Sequence, residues 1–413
     1  MSKAKLAVVA VGLVFGFIVG PRVLDRTAPQ VTEEIWRTVD PAQPGMTKET
    51  AGEAPRYPLR GEPQLELRID ESTTATLEVS GVPQVFTEEE GGRVLRSSLD
   101  LGNLSDGQHI VTLTLLDGAW PANRTQFTRA ITKDTTPPGV QLGLSSRHTA
   151  QGETYAVFAR TTEPVEDPWV ELDGERIPTV VLDDAVTIRG LTGIGVKTEP
   201  GDKRLVVEAR DAAGNVGRFE GTARIRETDF PFGGYITLSP KKQTDMLNKS
   251  KSKESNDKRS GAYAAKVGLE VPSELFVVPV KGRISSPFGK VRKYNTGVER
   301  HHLGTDMAAP SGTPVVSAAD GEVVLAELLH IYGNAVIVNH ADGVSTSYNH
   351  LSAIDVKVGD TVKAGQKVGE VGSTGQSTGP HLHWGMVVDG SAVAAEQWTT
   401  RRFDEPPGDD FGE

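Results

Sequence analysis

Residues 301–321 read HHLGTDMAAPSGTPVVSAADG, a short polar segment followed by a Pro-Ser-Gly turn and an apolar strand. An extended strand would place the Cα atoms of His302 and Asp306 about 13 Å apart. Two ligands of one zinc ion must each lie about 2.0–2.2 Å from the metal, so the chain has to bend between them. Gly304 allows that bend because it has no Cβ. The segment therefore predicts a metal-binding turn leading into β-structure, although the spacing by itself also occurs by chance.

A second pair of histidines lies in VGSTGQSTGPHLHWGM, residues 371–386. In a strand, His381 and His383 point to one face and Leu382 points to the other. Two imidazoles side by side can supply one metal ligand and one base. A third histidine, His350, ends the alternating segment SYNHL before a turn. The alternatives are a solvated strand face for the pair and an ordinary edge residue for His350.

The order of these segments along the chain resembles that of one protein family. The matching segments are RISSPFG (283–289), HHLGTDMAAPSGTPVVSAADG (301–321), YGNAVIVNH (332–340), SYNHL (347–351) and VGSTGQSTGPHLHWGM (371–386). Together they resemble the lysostaphin-type murein endopeptidases, family twenty-three of the metallopeptidases. The resemblance implies a small antiparallel β-sheet domain with a metal ion in an open groove.

The same resemblance implies a role for each of five residues. It places the Zn²⁺ ligands at His302, Asp306 and His383, and the two catalytic histidines at His350 and His381. Two neutral imidazoles and one carboxylate leave zinc a fourth position for water. A nearby imidazole can take a proton from that water and return one to the leaving amine. Which catalytic histidine is the base and which stabilises the oxyanion is left open by the sequence.

The composition is that of a soluble globular protein with several domains. The 413 residues include 37% hydrophobic and 24% charged residues, with a formal net charge of -11. A chain of this length suggests two to four domains. The negative charge argues against nucleic acid as a partner, because a phosphate backbone needs a Lys- and Arg-rich face. The absence of cysteine excludes disulfides, thiol nucleophiles and thiolate zinc sites.

Residues 1–24 combine a basic flank with an apolar run. Lys3 and Lys5 precede LAVVAVGLVFGFIVG (6–20), and Arg22 follows it. This pattern is typical of an export signal or a short membrane anchor. As a helix the run would span about 22 Å, less than a bilayer core of about 30 Å. We favour an uncleaved single-pass anchor over a cleaved signal. The expected location is the inner membrane facing the periplasm, with export to the periplasm or cell surface as the alternative.

The rest of the chain predicts a mainly β protein. Short alternating runs separated by turn signals are typical of all-β domains, and we interpret them as two tandem immunoglobulin-like β-sandwiches. The linker is expected to be structureless or helical, and the tail is expected to be disordered. The predicted order is membrane anchor or signal (1–24), tether (25–61), Ig-like domain (62–135), Ig-like domain (136–230), linker (231–262), zinc endopeptidase domain (263–400) and acidic tail (401–413).

The resemblance implies an enzyme that hydrolyses peptide cross-links between peptidoglycan stem peptides. In a periplasm the expected bond is D-alanyl–diaminopimelate, with a Gly–Gly bridge as the alternative. One other hypothesis is a non-enzymatic activator or scaffold for another cell-wall hydrolase. A further one is an adhesion protein whose Ig-like modules bind a protein partner. The presence of all five implied residues favours the enzyme, because inactive relatives of this kind have usually lost ligands.

Overall fold

The computed structural model describes most of the chain. The described residues are 29–39, 47–51, 59, 62–70, 74–90, 93–117, 122–237, 249–295, 297–341 and 343–411. Most of them are in β-strands or in the turns between strands, which confirms the prediction of a mainly β protein. None of the helices in these ranges is both long enough and apolar enough to cross a membrane. The predicted anchor or signal at 1–24 lies outside the described residues.

The chain divides into two compact units. The first runs to Gly139 and also includes Glu163–Asp167 and Ala209–Gly217. The second comprises Val140–Thr162, Pro168–Glu208 and the chain from Arg218 onward. The second unit therefore holds most of the second predicted sandwich together with the predicted endopeptidase region.

The first unit contains two antiparallel sheets, with strand orders β2-β1-β3-β7-β6 and β5-β4-β8-β9. Their strands are β1 (Val31–Val39), β2 (Thr47–Ala51), β3 (Gln64–Ile69), β4 (Thr74–Val79), β5 (Val82–Pro83), β6 (Thr87–Glu89), β7 (Val94–Ser98), β8 (Gly107–Leu116) and β9 (Arg124–Lys133). Alternate residues of both sheets are buried in one apolar cluster, among them Leu65, Leu67, Leu113 and Leu115. Successive side chains of a strand point to opposite faces, so this alternation shows that one face of each sheet packs in the core.

A second pair of sheets follows, with strand orders β10-β12-β16-β15 and β11-β18-β17-β13-β14. The strands are β10 (Val140–Leu142), β11 (His148–Ala150), β12 (Thr154–Thr161), β13 (Val165–Leu172), β14 (Glu175–Ile177), β15 (Thr179–Val181), β16 (Thr187–Gly193), β17 (Gly201–Asp211) and β18 (Val216–Arg226). A 3-10 helix, Leu144–Arg147, connects β10 to β11. The immunoglobulin-like assignment of both pairs of sheets stays a prediction.

The C-terminal region is organised around one large sheet, in which β20-β23-β31-β27-β26-β25-β29 are neighbours in that order and β32 also pairs with β31. Two smaller sheets have the orders β24-β30-β28 and β19-β21-β22. The elements are β19 (Phe232–Ile236), α1 (Lys249–Tyr263), β20 (Arg283–Ser286), β21 (Val291–Tyr294), β22 (Glu299–His301), β23 (Thr305–Ala308), β24 (Pro314–Val316), β25 (Gly321–Leu329), β26 (Gly333–Ala341), β27 (Val344–Leu351), β28 (Ala353–Ile354), β29 (Thr361–Val362), β30 (Lys367–Glu370), β31 (His381–Val388), β32 (Ser391–Val393) and a 3-10 helix, Ala395–Thr399.

The second pair of sheets and the C-terminal region share a hydrophobic core. Phe158 and Leu191 belong to the same buried cluster as Trp398 and Phe403. The indole Nε1 of Trp398 also donates a hydrogen bond of 2.9 Å to the hydroxyl of Thr154. The buried cluster runs through both parts of the second unit, so it is one packed body rather than two modules joined by a flexible segment.

The structure corrects two of the expectations. We predicted a tether at residues 25–61, but β1 and β2 lie in this range and β1 pairs with β3. Their register buries Trp36 completely in the first core. We predicted a disordered acidic tail at 401–413, but Phe403 is buried and the carboxylate of Asp410 accepts hydrogen bonds from the backbone N–H and hydroxyl of Ser145. In the predicted linker, α1 begins at Lys249.

Candidate metal centre and active site

Strand pairing in the large sheet brings the predicted site residues together. β23 pairs antiparallel with β31, and Asp306 is directly opposite His383. On the other side of β31, Asn349 of β27 is also opposite His383, which places His350 at the same end of the sheet. Directly opposite residues have Cβ atoms about 4.5–5.5 Å apart, on one face. Side chains that are far apart in sequence therefore meet on three adjacent strands.

The chain bends between His302 and Asp306, as predicted, and Gly304 occupies the tightest point. A Cβ on Gly304 would lie 2.6 Å from Nε2 of His383 and 2.7 Å from the carbonyl oxygen of Trp384. The backbone of residue 304 thus passes directly against β31. Only a residue without a side chain fits this approach.

Three potential ligand atoms converge on one point. His302 Nε2 lies 2.9 Å from Asp306 Oδ1 and 3.0 Å from His383 Nδ1, and the last two atoms are 2.9 Å apart. The Nδ1 of His302 is 3.0 Å from the carbonyl oxygen of Pro287. A carbonyl can only accept, so Nδ1 carries the proton and the Nε2 lone pair faces Asp306. Lone pairs gathered at such distances repel one another unless a cation lies between them, and two imidazoles with one carboxylate suit zinc.

Asp306 is also held from its other side. Its Oδ2 accepts a hydrogen bond of 2.9 Å from Arg292, and the same guanidinium nitrogen donates to the hydroxyl of Ser286. Burial by itself would raise the pKa of Asp306, but the neighbouring His302 and His383 rings outweigh it and hold that pKa far below its usual range. Asp306 is therefore a permanent carboxylate.

His350 and His381 lie beside this cluster. Their ring centroids are 4.9 Å apart, and that of His350 is 6.0 Å from the ring of His383. His350 Nδ1 is 2.8 Å from the carbonyl oxygen of Thr374, and His381 Nδ1 is 2.8 Å from that of Gly379. Each Nδ1 thus carries a proton, which leaves the Nε2 lone pair of each ring available as a proton acceptor.

Backbone strain and burial set His350 and His383 apart from surface histidines. His350 has a φ of 64°, a left-handed conformation that is uncommon for a residue with a side chain and concentrates at functional sites. Burial, followed by the charges of His383 and His381, lowers the pKa of His350 to about 3. Burial also lowers the pKa of His383 to about 4, against the opposing effect of Asp306. Both rings are therefore neutral at pH 7, as a metal ligand and a proton acceptor must be.

Two other histidines of the same region lie apart from the cluster. His301 is adjacent in sequence to His302, but its Nδ1 is 3.1 Å from the carbonyl oxygen of Gly289 and its ring packs on Phe230. His340 is buried in the core, where its nitrogens are bonded to the Asp320 carbonyl and the Thr346 hydroxyl. The proximity of a histidine to the motif in sequence is thus not enough to place it at the site.

The cluster forms the floor of an open groove of about 540 Å³. One wall comes from β21 and β22, and the other includes Tyr332 and the loop 376–380. Sequence reasoning missed Arg292 and Ser286, which support Asp306. No spacing rule links them to the ligands, because they reach Asp306 from neighbouring strands.

One further group of acids could hold a cation in the first unit. Ligand oxygens of Asp134, Glu163 and Asp211 all lie within 4.8 Å of one another. Burial and the charges of the other two acids raise the pKa of Glu163. Since Asp211 already accepts hydrogen bonds from the backbone N–H groups of Ala213 and Asn215, these contacts account for its burial without an ion.

Residues 300–395 match the family described as Peptidase family M23. The chain carries an M23 peptidase domain at its C-terminus. The matched range contains all five predicted site residues of the M23 domain, which are His302, Asp306, His350, His381 and His383.

Relatives of the M23 domain include proteins named for peptidoglycan cleavage. The DD-carboxypeptidase/endopeptidase Mpg of Neisseria meningitidis serogroup B is 49% identical over 111 residues, which is 27% of this chain and 26% of that protein. The peptidoglycan DD-endopeptidase ShyA of Vibrio cholerae serotype O1 is 39% identical over 140 residues, 33% of each. The catalytic domain of lysostaphin from Staphylococcus simulans is 35% identical, covering 29% of this chain and 93% of that one, with a TM-score of 0.27. The chain thus spans a quarter to a third of the length of Mpg and ShyA.

Proposed function

We propose that this protein is a zinc-dependent endopeptidase that hydrolyses peptide cross-links of bacterial peptidoglycan. The observation that carries the proposal is the convergence of His302 Nε2, Asp306 Oδ1 and His383 Nδ1 within 3.0 Å of one another on the floor of a groove. The names of the M23 relatives support peptidoglycan as the substrate and a DD-peptide bond as the one cleaved. Within that class, the resemblance of the sequence motifs implies a D-alanyl–diaminopimelate bond.

In this proposal His302, Asp306 and His383 hold the metal. When bound there, zinc supplies Lewis acidity toward a peptide carbonyl and lowers the pKa of water toward about 7. Other residues of the chain orient the ligand side chains. The Pro287 carbonyl fixes the tautomer of His302, and Arg292 fixes the carboxylate plane of Asp306. Such outer contacts hold ligands in place and are worth roughly 10–100-fold in metal affinity.

His350 and His381 supply the proton transfers. Both rings present Nε2 while a backbone carbonyl holds Nδ1–H, so each can accept one proton without turning. One ring takes the proton of the attacking water and returns it to the leaving amine. The other ring, once it has taken a proton from solvent at Nε2, donates that N–H to the carbonyl oxygen and stabilises its negative charge.

Removal of the metal gives the first prediction. We expect the full chain to convert cross-linked dimers of purified peptidoglycan into monomers, as detected after a muramidase has digested the glycan strands. This conversion should stop when a chelator is added and resume when zinc is restored. Separation of the products by chromatography with mass spectrometry identifies the bond that is cut. Loss of activity that zinc does not restore would contradict the metal dependence. A folded, zinc-loaded protein that never cleaves would instead favour the activator hypothesis.

Substitution of Gly304 gives the second prediction. We expect Gly304→Ala to lower zinc affinity by about 10-fold or more, because the new methyl group would displace the His383 ring and cannot move the Trp384 carbonyl. Competition with a chromophoric chelator measures the affinity, and circular dichroism reports the fold. Gly261→Ala in α1 is the matched control, since a Cβ there meets nothing within 4 Å. A Gly304→Ala protein with unchanged zinc affinity would show that the tight approach is unimportant.

We also propose that the protein acts outside the cytoplasm, held at the inner membrane or exported, with both pairs of sheets serving as Ig-like modules. The basic and apolar pattern of residues 1–24 and the peptidoglycan relatives support this location. Fractionation of cells that express the full chain, with protease added to spheroplasts, tests it. A protein that stays protected inside intact spheroplasts would contradict the proposal.

A further inference from the structure

The wall of the groove formed by β21 and β22 is basic. Lys290 directly precedes β21, and Arg292 and Tyr294 lie at alternate positions of that strand. All three line the groove together with Arg300 of β22. Among the residues that line the groove, Asp306 is the sole carboxylate. The complete chain has a net charge of -11, so this concentration of cations runs against the overall balance of charge. The groove is therefore a place where an anionic group is attracted.

The pairing of the two strands places like charges together on the groove side. Arg292 and Arg300 are directly opposite each other. One position further along, Lys293 is opposite Glu299, and these two form a salt bridge of 3.0 Å. Directly opposite like charges are destabilising, whereas opposite charges stabilise a strand pair. The same ribbon thus pairs opposite charges on one face and like charges on the face that lines the groove.

Two of these cations have no acidic partner among the described residues. Arg292 is bonded to Asp306 and Ser286. By contrast, Lys290 and Arg300 make no ion pair with any carboxylate in the part of the chain that the structure describes. The stem of Lys290 packs on Gly233, where an added Cβ would lie 2.8 Å from its Cε, and Lys290 also lines the groove. The two cations thus line the groove without an ion-pair partner among the described residues.

We propose that Lys290 and Arg300 form a subsite that binds a free carboxylate of the substrate peptide and selects acidic peptides over amidated ones. This proposal rests on the proposed endopeptidase function. A guanidinium and an ammonium on neighbouring strands match a carboxylate, because the arginine offers a planar pair of donors and the lysine a point charge. Arg292 stays with Asp306 and supports the metal ligand instead. The subsite lies next to the metal centre, so it fixes the register of the peptide relative to the reacting carbonyl.

The test uses the zinc-supplemented full chain and two synthetic cross-linked stem-peptide dimers, one with free carboxylates and one with those groups converted to carboxamides. Calorimetry measures the affinity for each peptide, and mass spectrometry measures cleavage in parallel samples. We expect wild-type protein to bind the free-carboxylate peptide about 10-fold more tightly or better. Arg300→Gln and Lys290→Gln should each lose about 10-fold of that affinity and bind the amidated peptide as wild type does. The preference should weaken as salt is raised.

Lys293→Gln is the matched control, because it removes a cation from the same strand on the opposite face. The proposal is overturned if the wild-type protein binds both peptides with equal affinity, or if Lys293→Gln lowers the affinity as much as Arg300→Gln does. It is also overturned if both groove variants still prefer the free-carboxylate peptide, because the preference would then originate at the metal. Cleavage is judged separately. If the protein prefers the acidic peptide but cleaves neither peptide, the subsite is supported and the endopeptidase function is contradicted. If it binds and cleaves both peptides equally, the endopeptidase function is supported and the subsite is contradicted.

Discussion

Replacing Asp306 with alanine should remove both zinc binding and hydrolysis while leaving the protein folded. Oδ1 of Asp306 is 2.9 Å from Nε2 of His302 and 2.9 Å from Nδ1 of His383. It is the only charged atom among these three ligand atoms. Without it, two neutral imidazoles remain and the nearby Arg292 loses its carboxylate partner. An uncompensated guanidinium beside the site would repel a divalent cation. We expect zinc affinity to fall by more than about 100-fold, since even outer contacts are worth 10–100-fold.

The measurement is zinc content after dialysis against a buffer of fixed free zinc, together with the release of muropeptides from purified peptidoglycan. His301→Ala is the matched control, because His301 is adjacent to a ligand in sequence but bonds to Gly289 and packs on Phe230. It should keep zinc and activity. An Asp306→Ala protein that retains zinc at wild-type affinity would sink the proposed ligand set.

The candidate site was predictable to the extent that local geometry determines it. The period of two along β31 puts His381 and His383 on one face while Leu382 is buried on the other. A glycine between His302 and Asp306 predicted the bend, and the structure shows the close approach that requires it. Arg292 could not be found in this way, because its contact with Asp306 depends on which strands become neighbours.

The structure differs from the prediction in two segments whose composition is typical of disorder but which pack against distant parts of the chain. The segment that contains Trp36 lies in a Pro-, Thr- and Glu-rich region, yet its alternating pattern buries the indole in the first core. The acidic tail likewise includes Phe403, which completes the core around Trp398. Asp410 meets Ser145, which is 265 residues away in sequence. Such contacts are absent from any local window, so average composition predicted a tether and a disordered end instead.

His350→Ala and His381→Ala should each keep zinc and lose cleavage by about 10²–10⁴-fold, the usual contribution of a general acid or base. Neither ring has a nitrogen among the three converging ligand atoms, and each is held instead by the carbonyl of Thr374 or Gly379. Zinc content and the rate of muropeptide release, measured on the same samples, separate the two effects. His148→Ala, an exposed histidine in β11, controls for the loss of an imidazole elsewhere. If His381→Ala loses zinc as fully as His302→Ala, the division between ligands and catalytic residues is wrong.

The double variant His350→Ala/His381→Ala tests whether the two rings serve one step. Their centroids are 4.9 Å apart, and they lie on the same side of the ligand cluster. Residues that act as a unit in one transition state are non-additive, so the double variant should be scarcely slower than the slower single variant. Independent roles would instead multiply the two losses. Multiplied losses would therefore show that the two rings lower the barrier independently of each other and do not act as a unit.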